Sequence, residues 1–142
     1  MLMATRTRAD AATEAWKRML ELMWSQRGRF IDGVGDLGLS PMQAHALRFL
    51  EQPRAMSELA DVLLCDASNV TGIIDRLEAR GLVERRPAPE DRRVKLLCLT
   101  KAGEALRARV REQIEVPPPE LAALSPHEQR ELRDLLARAL GH

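Results

Sequence analysis

Apolar and polar positions alternate with a helical period along most of this 142-residue chain. Over residues 9–34 the apolar side chains are Trp16, Met19, Leu20, Met23, Phe30 and Ile31, with Arg27 filling one step of the row. This is close to the i, i+3, i+4, i+7 stripe of an amphipathic helix. Leu22 and Trp24 widen that stripe beyond what a single contact requires. At ~1.5 Å per residue, the helix would be ~39 Å long. That exceeds what one body of this size covers, so part of the face is expected to pack on a second subunit. A bend near Gly28 within one subunit is the alternative. Gly33, Gly35 and Gly38 break the pattern, and Ser40-Pro41-Met42-Gln43 restarts it. Ser40 suits an N-cap, Pro41 the first helical position, and Gln43 the reciprocal acceptor of a capping box. The helix is expected to reach Leu50, with Ala44, Leu47 and Leu50 inward, and Pro53 ends it.

The next elements are shorter. Residues 57–64 read as a helix with Leu59, Val62 and Leu63 apolar. Cys65 and Asp66 make a tight turn, and the Asp66 carboxylate is placed to cap the following helix. That helix spans residues 67–80, with Val70, Ile73, Ile74 and Leu77 on its inner face. Gly81 suits the left-handed position just past its end. The period then changes. Residues 82–86 and 93–99 read as two short strands around a proline-containing turn at residues 87–91, a hairpin. Thr100 caps a helix running to about Val116, with Leu106, Val110 and Ile114 on one side. Pro117, Pro118 and Pro119 stop it. Ser125-Pro126-His127-Glu128 repeats the device at Ser40, and the last helix carries Leu132, Leu135, Leu136, Ala139 and Leu140. The order helix, helix, helix, helix, hairpin, helix, helix defines a mostly α fold with a small β-hairpin wing (α+β). Residues 37–100 form a winged helix-turn-helix within a single 1–142 unit. Residues 9–36 and 101–142 are the flanking helices, which are expected to serve as dimerisation helices.

Composition narrows the function classes. With 45% hydrophobic and 30% charged residues, a packed core is expected. Aromatics make up only 3%, so Leu, Ala, Val, Ile and Met must build that core, which favours helices. The net charge of +1 argues against a general polyanion binder but not against a reader whose positive charge is local. No apolar leader or membrane-length run is present, so the expectation is a cytoplasmic protein with reduced thiols and no membrane partner. His45, His127 and His142 share no metal-ligand spacing, and neither a phosphate-binding glycine loop nor a nucleophile elbow occurs. No metal, cofactor or enzymatic activity is expected.

Two short helices and a hairpin in this order make a DNA reader. The outward face of the second helix carries Ser68, Asn69, Thr71, Gly72, Asp75 and Arg76. Asn pairs bidentately with adenine, Ser and Thr bond bases or phosphates, and Gly72 leaves room for close approach. Residues 85–95 hold five basic side chains (Arg85, Arg86, Arg92, Arg93, Lys95) against Glu90 and Asp91. A projecting basic turn beside a groove-reading helix suits phosphate or minor-groove contact. Asp91 is placed to hold the neighbouring Arg92 in a fixed pose. A winged helix that binds protein instead of DNA is the competing reading.

The segments Leu39-Ser40-Pro41-Met42-Gln43, Ser57-Glu58-Leu59-Ala60, the run from Asn69 through Val83, and Pro89-Glu90-Asp91-Arg92-Arg93 closing at Leu99-Thr100 resemble the MarR family of bacterial transcriptional regulators. The likeness is specific over residues 57–100 and loose in the terminal helices. It implies a homodimer bound to double-stranded DNA, a repressor of a pseudo-palindromic operator. The first helix and the last two would pack across the two-fold axis, with half-sites ~34 Å apart. Carried over by position, Ser68, Asn69, Thr71 and Arg76 are base or phosphate contacts. Arg92 is the wing arginine, supported by Asp91, with Arg93 nearby.

The resemblance also implies a small lipophilic or aromatic effector where the dimer helices meet the reader. Trp16, Met19, Met23, Trp24 and His45 are the residues that would line such a pocket, unless they are ordinary packing residues. Some relatives sense oxidants through a cysteine in the first helix. This first helix has none, so Cys65, just before a helix N-terminus, is the thiol left for that role. Cys98, on a strand among leucines, is expected to be inert.

Overall fold

A computed structural model describes the backbone of residues 2–142 and the side chains from residue 10 onward. The elements run α1 (Leu2–Ser25), α2 (Arg27–Asp36), α3 (Pro41–Phe49), β1 (Arg54–Ala55), α4 (Met56–Leu63), α5 (Ala67–Ala79), β2 (Val83–Pro87), β3 (Lys95–Leu99), α6 (Lys101–Glu115), α7 (Pro119–Ala122) and α8 (Pro126–Leu140). The fold is mostly helical with a three-stranded antiparallel sheet, as the patterning indicates. The strands lie in the order β1-β3-β2.

The two capping boxes form as their sequences dictate. Ser40 accepts from the Gln43 amide while the Gln43 side chain accepts from the Ser40 amide. Ser125 and Glu128 repeat this arrangement at α8. Each box satisfies helix-start amides that have no partner within the helix. Gly81 takes φ +71°, closing α5 in the left-handed conformation that glycine adopts without a steric penalty.

Several elements differ from the sequence expectation. The long first helix is divided at Gln26, not at Gly28, which lies inside α2. At the division the Ser25 hydroxyl donates to the Leu22 carbonyl at 2.7 Å, a local bond that competes with helix continuation. Asp66 occupies the N-cap of α5, yet its side chain makes no capping hydrogen bond. β1 is unforeseen because two residues carry no readable period. It pairs Arg54 with Leu97 and Ala55 with Leu96. The proline run ends α6, but Pro119 then occupies the first position of the one-turn helix α7.

The core lies where α2 to α6 meet the sheet. Leu47, Leu59, Ile74, Leu77 and Leu97 are its largest sealed side chains, joined by Val34, Val70, Val83 and Val110. Val70, Ile74 and Leu77 fall at helical spacing, so α5 is anchored by one face and its opposite face is free. Gly103 makes the tightest approach. A Cβ there would lie 2.0 Å from the Leu82 carbonyl oxygen, so the start of α6 reaches the hairpin base only because that residue has no side chain. Among the described residues, no helix is long and apolar enough to cross a membrane.

Candidate nucleic-acid interface

The first turns of α5 present their polar side chains to solvent. Ser68, Asn69, Thr71, Gly72 and Arg76 are all exposed. The Thr71 hydroxyl donates to the Ala67 carbonyl at 2.9 Å, which fixes its rotamer and leaves its lone pairs outward. A Cβ at Gly72 would meet nothing within 4 Å, so this glycine is not required by packing. The turn before α5 is strained. Leu64 is in the left-handed region at φ +51° and is 93% exposed. An L-residue with a side chain holds that conformation at a steric cost of about 1–2 kcal/mol.

The hairpin is fastened to α5 at both ends of its base. The β2 and β3 register runs from Val83 opposite Leu99 to Pro87 opposite Lys95. Thr100 Oγ1 donates to the Gly81 carbonyl at 2.6 Å and accepts from the Gly103 amide at 3.1 Å. One hydroxyl thereby joins the end of α5, the end of the hairpin and the start of α6.

The wing cations divide into two groups. Arg85 pairs with Asp75 at 2.6 Å and approaches Glu78 at 3.8 Å, both on α5. Arg86 pairs with Glu84. Arg92, Arg93 and Lys95, all exposed, enter no ion pair among the described residues. The Asp91 carboxylate accepts from the Arg93 backbone amide at 3.0 Å, so it fixes the backbone of the turn and makes no salt bridge to a guanidinium. Sequence counting does not separate these groups, because Arg85 and Asp75 lie on different elements.

The aromatic and thiol residues are scattered. Met23 and Trp24 line an open groove of ≈ 660 Å³ with Phe30, Ile114, Val116 and Pro118, between the α1–α2 junction and the end of α6. Trp16, Met19 and His45 are not among its lining residues. His45 is half-buried, its ring 5.1 Å from that of Phe30. Burial, with the nearby Arg48 cation, holds its pKa below the usual imidazole value. The Cys65 thiol donates to the Leu63 carbonyl at 3.3 Å, and Cys98 is buried in β3.

Comparison with known proteins fits this geometry. A sequence model of the MarR family matches residues 37–94. An HTH-type transcriptional regulator of Bacillus subtilis, YfiV, is 31% identical over 120 residues, covering 76% of this chain and 75% of that one. The HTH-type transcriptional repressor NicR of Pseudomonas putida is 41% identical over 54 residues, 38% of this chain and 34% of that one. The crystal structure of wild-type MarR (apo form) from E. coli superposes with a TM-score of 0.73 at 25% identity, covering 87% of this chain and 96% of that one. The chain belongs to the MarR family of transcriptional regulators. Its fold and relatives are those of regulators, not of an enzyme. Against other curated relatives the match spans about half of their length, 52% in two cases.

Proposed function

We propose that the protein is a sequence-specific DNA-binding regulator that acts as a homodimer and represses transcription from a pseudo-palindromic operator. One observation carries this reading. An anchored helix shows small hydrogen-bonding residues at its first turns, fastened to a hairpin whose tip holds the unpaired cations Arg92, Arg93 and Lys95. Base edges are read by Ser68, Asn69, Thr71 and Arg76, with Gly72 allowing close approach. Arg92 and Arg93 position the protein on phosphates or in the minor groove, with Asp91 shaping the turn.

Dimerisation is supported by the apolar residues that the terminal helices leave uncovered. Trp16, Met19, Ile31, Leu135, Leu136 and Leu140 are all at least 36% exposed. Exposed apolar side chains gathered on α1, α2 and α8 supply the surface that a partner helix would cover. Repression is extended from the name of NicR. The groove lined by Met23 and Trp24 is the place for a small lipophilic or aromatic effector, one that binds unequally to two spacings of the readers.

The test is selection of bound fragments from genomic DNA, followed by salt-dependent binding to the recovered duplex. Enrichment of one palindromic sequence, with Asn69→Ala relaxing discrimination at one position, is the expected result. A protein that enriches no fragment and shows no salt-dependent binding is instead a winged-helix module for protein partners.

A further inference from the structure

We propose that Arg85 is a positioning residue that masks acidic charge on the reading helix rather than a phosphate contact. This rests on the DNA-binding reading above. Ser68, Gly72 and Asp75 recur at spacings of four and three residues, so the Asp75 carboxylate stands on the face that α5 turns to the groove. Glu78 follows three residues later. Two bare carboxylates there would repel phosphates a few ångströms away, well inside a Debye length of about 10 Å at 0.1 M salt.

Arg85 meets both. Its Nη2 lies 2.6 Å from Asp75 Oδ1 and its Nε 3.8 Å from Glu78 Oε2, reached from β2 across the base of the hairpin. The Arg85 side chain is 34% exposed, so part of its stem is covered. A guanidinium presents a planar fork of donors, which matches two acceptors on successive turns of a helix. The contact does two things. It fixes the angle of α5 against the wing, and it removes Arg85 from the positive charge offered to DNA.

The two roles separate in a rescue experiment with labelled duplexes of the recovered operator and of a scrambled sequence. Arg85→Met should weaken binding about tenfold on both duplexes, through the exposed carboxylates. Adding Asp75→Asn and Glu78→Gln should restore binding to within about threefold of wild type, with a wild-type salt slope. A phosphate contact predicts the opposite: D75N/E78Q/R85M would stay weak, and its slope would be shallower by about 0.9. That result, or wild-type binding by R85M alone, overturns the proposal. If R85M melts early, R85Q carries the test, since it keeps the stem and removes the charge. D75N/E78Q/R85Q should bind within about threefold of wild type, again with the wild-type slope. Weak binding by that folded variant also overturns the proposal. Absence of binding by the wild-type protein would instead refute the DNA-binding reading on which it rests.

Discussion

The reader and the terminal helices use apolar residues in opposite ways. Among the described residues, every sealed side chain falls between Val34 and Val110, so α2 and α6 share the reader's core and only α1, α7 and α8 stand outside it. α8 buries none of its residues, although it carries Leu132, Leu135, Leu136 and Leu140. On α1, Trp16 is 56% exposed and Trp24 67%. Helices with equally clear amphipathic patterning thus end in different environments. The reader, with α2 and α6 packed on it, satisfies its pattern within one chain. The terminal helices carry apolar surface that only another surface can cover, so their stability should depend on protein concentration while the reader's does not.

The sharpest break of that contrast is at Gly103. Gly103→Ala forces a Cβ against the Leu82 carbonyl and should destabilise the reader by about 3 kcal/mol, seen as a lower urea midpoint. In the proposed homodimer, Leu135→Glu with Leu136→Glu should leave the reader folded but raise the dissociation constant about a hundredfold, near 2.7 kcal/mol. Sedimentation across a dilution series measures this, and an unchanged oligomeric state would remove α8 from the interface. Arg92→Ala touches neither core nor interface. It should weaken binding to all duplexes about tenfold and reduce the salt slope by about 1, with melting unchanged.

Two smaller effects probe the reader's local strain. Leu64→Gly should raise stability by about 0.5 kcal/mol, as relief of the left-handed strain (about 1–2 kcal/mol) exceeds the extra chain entropy of glycine (about 0.5–1 kcal/mol). His45 has a folded pKa below its unfolded value, so the unfolded chain takes up protons first as pH falls. Its contribution is fully present above the unfolded pKa and is lost as pH drops through the folded one. The urea midpoint should therefore fall as pH drops below the ordinary imidazole value of about 6.5, less so in His45→Gln.

Local signals were the most legible in the sequence. Ser40 and Ser125 announce helix starts because a capping box lies within four residues of chain. Gly81 announces a stop because only its conformation fits there. The inner face of α5 follows from period alone. Features that depend on distant partners were not legible. β1 exists because Arg54 and Ala55 meet β3, and nothing in two residues foretells it. The division at Gln26 falls beside a hydroxyl that bonds backwards to Leu22, a contact that no apolar period announces. At the candidate interface, the exposed residues of α5 were readable as a face. The partition of the wing arginines was not, because the pairing of Arg85 with Asp75 arises from the packing of a strand on a helix.

The Thr100 junction has a mechanical consequence. One hydroxyl pins the close of the hairpin to the end of the reading helix, so motion of the wing at that base should carry the helix with it. Helix and wing should turn together as a single lever, with α6 as its shaft. In a paired molecule, control would then act on the phase between two such levers. Each base pair inserted between half-sites rotates one against the other by about 34–36°. A regulator built this way should reject operators with altered spacing, and Thr100→Val should loosen that rejection before it weakens binding to the native spacing.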